Sequence, residues 1–237
     1  MDGIVDPLRL GWQALLLKED AYQTMKAASK PVLKGFLLII VVGVVIALVN
    51  LVGTALEWAS SPDLQEIRDT VGAYLLDMPW WDQMPPQALE QFERWYETGW
   101  RVFPFLFGAP NIGGAALGIV TTPVGLVIRW LIYGLLAYLF ARWLGGSADL
   151  SETLGVLALA VAPQAVNLLR LFPFVQTGNL VAVWSILCAY VGLKTAHRLS
   201  WERAVWATAL PILLAVVVAT LTGCLVSALI VIAVKGG

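Results

Sequence analysis

Long apolar runs alternate with short polar connections along this chain, and each run predicts a membrane-spanning helix. Residues 35–56 carry no charged side chain, and further apolar runs lie at about 122–143, 153–170, 178–197 and 203–234. A helix needs about 20 apolar residues to cross the hydrocarbon core of a bilayer. The pattern therefore predicts an all-α fold, a polytopic membrane bundle of five transmembrane helices.

The second and fifth runs have irregular features. Residues 102–121 are apolar but are interrupted by prolines and glycines, so they predict an interfacial or re-entrant segment. The second span is predicted to begin at Thr122, which places Pro123 in the first turn, where a missing N–H costs nothing. The fifth run is longer than a bilayer requires, and we expect its helix to tilt or to kink at Pro211.

Amphipathic helices are predicted on both membrane faces. Before the first span, Leu8, Trp12 and Leu16 recur at helical spacing, which fits either a helix on the leaflet or a helix packed under the bundle. The acidic, tryptophan-rich stretch 57–121 predicts two more such helices, whose apolar faces either cap the bundle or bind a membrane partner. The candidate residues of that partner surface are Leu64, Ile67, Val71, Leu89, Phe92, Tyr96 and Trp100.

These patterns divide the chain into four parts. Residues 1–34 form an amphipathic N-terminal segment, and residues 35–56 form the first transmembrane helix. Residues 57–121 form an insertion outside the membrane, and residues 122–237 carry the remaining four transmembrane helices.

The composition supports a membrane protein and excludes several other classes. Hydrophobic residues make up 59% of the chain, against about 45–50% in ordinary soluble proteins. Charged residues make up only 13%, against about 25%. A nucleic-acid-binding protein, a disulfide-rich secreted domain and a disordered chain are all excluded by this balance.

The distribution of basic residues predicts the orientation, because lysine and arginine concentrate on the cytoplasmic side of a membrane protein. Nine flank one side: Arg9, Lys18, Lys26, Lys30, Lys34, Arg142, Lys194, Arg198 and Arg203. Five flank the other side: Arg68, Arg94, Arg101, Arg170 and Lys235. We therefore expect a cytoplasmic N-terminus and a C-terminus outside the cytoplasm.

Polar and small residues inside the apolar runs define a candidate intramembrane site. A buried arginine in a span is costly and points to function, but its side chain can also snorkel outward or pair with Glu57. The small residues of the third run allow close helix approach, while its proline and amides fit either ordinary packing or a polar cavity beside a kinked helix. The residues of this candidate site are Arg129, Gly155, Ala158, Ala162, Pro163, Gln164 and Asn167.

Enzyme chemistry has little support in the sequence. The single histidine, His197, lies at the end of the fourth run, where we expect it to face lipid headgroups. Cys188 and Cys224 are separated within apolar runs, and a zinc site needs three or four clustered ligands. No nucleophile–base pair and no phosphate-binding glycine loop is present. We therefore expect a protein without catalytic residues, metal or cofactor.

The second half of the chain resembles the Yip family of membrane proteins, whose eukaryotic members interact with Rab-type GTPases. The matching features are Gly145-Gly146 followed by an acidic loop, then Pro163 in the next span, Trp184 in the fourth and His197 after it. The N-terminal stretch with Pro7 and Tyr22 is similar to that of bacterial members. The resemblance implies a five-span bundle with a cytoplasmic N-terminus and, for a bacterial-type member, residence in the bacterial cytoplasmic membrane.

Two departures from the family narrow the expected partners. The Asp-Leu-Tyr-Gly-Pro motif of the eukaryotic members is absent, which argues against a Rab-type GTPase. The acidic stretch 57–113 is longer than the family leads us to expect, which suggests a lineage-specific partner. We therefore expect a protein that binds the bilayer and other membrane proteins, or a second copy of itself, as an organising factor or complex subunit. The alternative is a small-solute or ion transporter with a polar site around the kinked third span.

Overall fold

The computed structural model describes residues 2–60, 64–79, 84–106, 112–172, 175 and 177–235, and these residues form helices and their connections. In chain order the elements are α1 (Asp2–Leu15), α2 (Glu19–Lys26), α3 (Pro31–Ser60), α4 (Leu64–Leu76), α5 (Pro86–Leu106), α6 (Ile112–Trp143), α7 (Leu150–Ala158), a 3₁₀ segment (Leu159–Leu171), α8 (Gly178–His197) and α9 (Trp201–Lys235). The predicted all-α fold is confirmed.

Five helical stretches of the described chain are long and apolar enough to cross a membrane, which confirms the predicted number of spans. They are Pro31–Leu56, Ala116–Trp143, Leu150–Leu171, Gly178–His197 and Trp201–Ala228. We call the end of the bundle at which α3 begins the N-terminal side, and the other end the far side.

The helix of the second span begins at Ile112, earlier than the predicted Thr122, so Pro123 lies inside α6 rather than in its first turn. Residues 112–121 therefore continue this helix. A proline in a helix interior removes a hydrogen bond and crowds the preceding turn. Here the proline is buried against Gly43 of α3, where an added Cβ would lie only 2.8 Å from the Pro123 Cα. This contact also sets α3 and α6 in register.

The third span changes its helical form partway along. It begins with a capping box, in which Asp149 Oδ1 accepts from the Glu152 N–H at 2.7 Å and the Asp149 N–H donates back to Glu152. After Ala158 the backbone tightens into a 3₁₀ helix of 13 residues that contains Pro163. Such long 3₁₀ runs are uncommon, and the missing N–H of the proline favours the departure from α-helical hydrogen bonding.

The N-terminal helices α1 and α2 pack on the bundle, and α1 lies alongside the spans, whereas the sequence pattern predicted a helix on the leaflet or under the bundle. Tyr22 and Met25 are fully buried. The indole Nε1 of Trp184 donates to the Leu15 carbonyl at 2.8 Å, and Cys188 Sγ lies 3.4 Å from the Ala14 carbonyl oxygen. Both side chains belong to the middle of α8, so α1 ends beside the middle of the fourth span.

The depth of α1 follows from its contacts with two other spans. At the N-terminal side, Gly155 packs against Pro31 of α3. Gly11 of α1 packs between Leu38 and Ala162, each seven residues further along its own span. Seven residues of α-helix rise about 10 Å, so Gly11 lies about that far below the start of α3. The apolar side chains of Trp12 and Leu16 are 64% and 54% exposed on the outside of the bundle.

The core of the protein lies in the N-terminal half of the bundle and takes residues from α1–α3, α6–α9 and the 3₁₀ segment. Its fully buried members include Ala137, Val156, Leu159, Leu193 and Ala207. Small side chains at several of these positions let the helix backbones approach closely. The far half of α9 differs, because every residue from 213 to 228 is exposed.

Candidate functional site

A charged cavity of about 600 Å³ opens on the N-terminal side, between α2, the beginning of α7 and the end of α8. Two carboxylates and three cations line it: Glu19, Lys26, Glu152, Lys194 and Arg198. Sequence reasoning placed the three basic residues here only as charges flanking the spans, and did not bring them together.

Ion pairs across this cavity connect α2 to the bundle. Lys194 Nζ lies 3.4 Å from Glu19 Oε1, and Lys26 Nζ lies 3.7 Å from Glu152 Oε2. Lys26 also donates to the carbonyl oxygen of Ala196 at 2.6 Å. Exposed ion pairs contribute little stability individually, but these three contacts join α2 to both α7 and α8.

Arg198 is the cation of the cavity that forms no ion pair with another described side chain. It ends α8 in the left-handed conformation, with φ 54° and ψ 40°, and its N–H donates to the Lys194 carbonyl. A non-glycine residue seldom adopts this conformation, and such outliers often mark functional positions. With three cations against two carboxylates, the cavity suits an anionic group.

His197 lies beneath the connection between the second and third spans, and the expectation that it faces lipid headgroups was wrong. It is 1% exposed, and its Nε2 lies 2.9 Å from Thr153 Oγ1. The Thr153 hydroxyl already donates to the Asp149 carbonyl at 2.6 Å, so it accepts from the histidine. The other ring nitrogen packs against Gly146, where a Cβ would overlap it. The histidine therefore joins α7, α8 and this connection.

The amide side chains of the third span are satisfied by one another. Asn167 Nδ2 donates to Gln164 Oε1 at 2.5 Å, and the Thr177 hydroxyl donates to Asn167 Oδ1 at 2.6 Å. Asn167, Thr177 and Pro163 are buried. None of the candidate intramembrane residues lines the charged cavity. The arrangement favours packing over an open polar site.

The small residues of the third span are used for packing within the chain. An added Cβ on Gly155 would lie 2.5 Å from the Pro31 Cβ, and one on Gly35 would lie 2.6 Å from the Ala158 Cβ. Ala162 contacts the position of Gly11 in α1. These small residues therefore let α3 and α1 pack closely against the third span.

Arg129 is exposed and lies near the middle of the second span. Pairing with Glu57 is excluded by the register of α3 and α6. Glu57 lies fourteen residues beyond Gly43 towards the far side, while Arg129 lies six residues beyond Pro123 towards the N-terminal side. At the α-helical rise, the two residues are about 30 Å apart along the bundle axis.

The helices α4 and α5 form an outer layer on the far side of the chain. The Tyr96 hydroxyl donates to the Arg68 carbonyl at 2.6 Å and packs 3.4 Å from the Cβ position of Gly72, which joins the two helices. None of the described side chains at positions 66–79 and 84–102 is buried.

The predicted partner surface is thus distributed over this outer layer. Ile67 and Val71 are exposed on α4, whereas Leu89, Phe92, Tyr96 and Trp100 are half-buried on α5. The side chain of Leu64 lies outside those that the structure describes. Sequence reasoning did not single out Tyr74 and Trp95, which are each 70% exposed. The sequence signal that could have identified them is a large aromatic side chain on a predicted amphipathic helix.

Metal binding finds no support in the described part of the chain. No group of three or more histidine, cysteine, aspartate or glutamate side chains is placed to hold an ion there. Cys188 is buried and Cys224 is exposed, and both are free thiols.

Comparison with known proteins gives one family. The family model of the Yip1 domain matches residues 12–222. This range includes α2, the outer layer and most of the five spans. Neither the curated proteins nor the solved structures that were searched contain a significant match.

Proposed function

This chain belongs to the Yip1 domain family of membrane proteins, and on that basis we propose that it is a non-catalytic membrane protein that binds other membrane proteins. In this role it organises its partners or serves as a subunit of their complex. The five apolar spans place it in a bilayer, and the described residues contain no cluster that could hold a catalytic metal.

The observation that carries this proposal is the outer layer of α4 and α5. Its two helices are joined through Tyr96, yet none of its described side chains is buried. Val71, Tyr74 and Trp95 are exposed on this layer. Tyrosine and tryptophan are enriched at protein interfaces, where they contribute large apolar areas together with polar atoms. We propose that this layer binds the part of a partner that projects from the membrane.

The proposed orientation places the N-terminal side in the cytoplasm and the outer layer outside it. The excess of lysine and arginine on the N-terminal side supports this orientation. For a bacterial-type member of the family, the host would be the bacterial cytoplasmic membrane. The partner is another membrane protein or a second copy of this chain, rather than a Rab-type GTPase or a nucleic acid.

Cross-linking in intact membranes, followed by mass spectrometry, tests the proposal. The chain lacking residues 62–100 should lose partners that the intact chain retains. A sharper comparison introduces the same charge at neighbouring positions. Val71→Asp and Trp95→Asp should reduce cross-linking, whereas Thr70→Asp and Thr98→Asp should not. Identical partner sets for all variants would contradict the proposal.

The alternative function, transport of a small solute or ion, has weaker support. Its proposed polar residues Gln164 and Asn167 bond to each other and to Thr177 rather than lining the cavity. The alternative stays a prediction.

A further inference from the structure

An exposed arginine lies close to the middle of a membrane span. Arg129 is thirteen residues from the beginning and fourteen from the end of the stretch Ala116–Trp143. At the α-helical rise its Cα lies about 20 Å from either end along the helix. A cation exposed at this depth is unfavourable unless an anion or water accompanies it.

None of the five spans supplies an anion at that depth. The five spans contain only two acidic residues, Glu152 and Glu202, and both lie within the first turns at the N-terminal side. Glu57 is excluded by the register of α3 and α6. Arg129 forms no ion pair with any side chain that the structure describes. Since a second copy carries the same spans, it would not supply the missing carboxylate either.

The surface beside Arg129 is open. Tyr133 lies one turn away on the same face of α6, and its hydroxyl donates to the Thr208 carbonyl of α9 at 3.2 Å. Because α6 and α9 run antiparallel, Arg129 is level with the residues that follow one turn after Thr208. There the continuously exposed stretch 213–228 of α9 begins. A helix seated along this stretch would therefore pass close to the guanidinium group.

We propose that Arg129 and the exposed stretch 213–228 of α9 form a docking surface for a transmembrane helix of a partner protein. The partner helix carries an aspartate or glutamate near the middle of its span, and its carboxylate pairs with the guanidinium of Arg129. Arginine suits this role because its planar group donates two parallel hydrogen bonds to a carboxylate. The inference rests on the proposed binding of membrane proteins, but it uses a surface separate from the outer layer.

The test uses the full chain in phosphatidylcholine vesicles and synthetic helical peptides as probes. Each peptide has about 20 leucine and alanine residues, enough to span the bilayer, with glutamate, glutamine or lysine at its centre. A dansyl group on the peptide accepts energy from the tryptophans of the protein, so energy transfer reports binding within the bilayer.

The glutamate peptide should bind at least about tenfold more tightly than the glutamine peptide. Arg129→Gln should remove this difference, and Arg129→Glu should transfer the preference to the lysine peptide. Arg142→Gln, which removes a cation at the end of the same helix, serves as the control and should keep the difference. Thermal unfolding of each variant checks that it is folded.

Equal binding of the glutamate and glutamine peptides to the unaltered protein would overturn the inference. A difference that persists in Arg129→Gln would also overturn it. Loss of the difference when phosphatidylglycerol is added would assign Arg129 to lipid phosphate instead. The chain lacking residues 62–100 should still prefer the glutamate peptide. A failure of the outer layer to bind partners is thereby distinguished from a failure of this surface.

Discussion

Tyr22 shows how one side chain holds an amphipathic segment on a membrane bundle. It is fully buried in α2, its ring lies 3.2 Å from the Cβ position of Gly192, and its hydroxyl donates to the Ala14 carbonyl at 3.4 Å. A side chain at position 192 would crowd this ring, which would have to shift to make room for it. Tyr22 thus connects α1, α2 and the fourth span.

The burial of Tyr22 predicts a stability change at alkaline pH. Burial raises the pKa of its hydroxyl, and the neighbouring Cys188 raises it further. In the unfolded chain the hydroxyl loses its proton near its ordinary pKa of about 10, while the folded form retains it. The stability is therefore complete below about pH 10 and falls as the pH rises above it. Thermal midpoints should fall more steeply above that pH for the unaltered chain than for Tyr22→Phe.

Tyr74→Phe is the matched control for this experiment, because Tyr74 is 70% exposed on α4. Its pH profile should follow that of the unaltered chain. Parallel profiles for Tyr22→Phe and the unaltered chain would contradict the assigned role of Tyr22.

At the scale of elements, the bundle depends on glycines that bring helix backbones together. Gly155 faces Pro31, Gly35 faces Ala158 and Gly43 faces Pro123. Each contact joins α3 to a neighbouring span. Within a bilayer, where apolar burial adds little to helix association, such close packing supplies much of the attraction.

Replacing Gly155 by valine should therefore destabilise the protein. The new Cβ would meet both the ring and the backbone of Pro31, which have little freedom to move. Overpacking of this kind costs about 1–3 kcal/mol, and the thermal midpoint in detergent should fall accordingly. Gly223→Val adds the same side chain at an open position of α9 and should leave the midpoint nearly unchanged. Equal midpoints for the two variants would refute this account of the packing.

The five spans were predictable because apolar runs of bilayer length have few alternatives to membrane-spanning helices. The start of α6 was harder to predict, because Pro123 normally marks a first turn and here its burial against Gly43 permits a longer helix. Pro163 indicated a departure from α-helical geometry in the third span, but one proline did not predict a 3₁₀ helix of 13 residues.

The charged cavity was not predictable, because the residues that line it come from segments far apart in the sequence. Lys26 reaches Ala196 across a sequence separation of 170 residues. The sequence pattern indicated only that both segments lie near the same membrane face. The pairing of specific side chains across that face required the fold.

At the scale of the whole molecule, α1 determines how the protein sits in its membrane. Gly11 lies level with Leu38 and Ala162, well inside two spans. With its exposed apolar residues directed outward, α1 should contact lipid chains rather than water.

Cysteine accessibility in intact membranes checks this placement. In a chain without native cysteines, Trp12→Cys and Leu16→Cys should resist a membrane-impermeant maleimide, although both positions are exposed on the protein. Thr24→Cys, on the exposed face of α2, should react readily. After denaturation in sodium dodecyl sulfate all three should react. Rapid labelling of Trp12→Cys in sealed, oriented membranes would show that α1 lies in water.

The long-range contacts of α1 and α2 also impose an order on biosynthesis. Trp184 bonds Leu15 across 169 residues, and Lys194 bonds Glu19 across 175. These two helices therefore leave the ribosome before the fourth span, and their contacts are complete only when α8 has followed. Until then the surface of α1 that contacts α8 is left to the lipid or to a chaperone. A nascent chain that stops before α8 would be a ready substrate for membrane proteases.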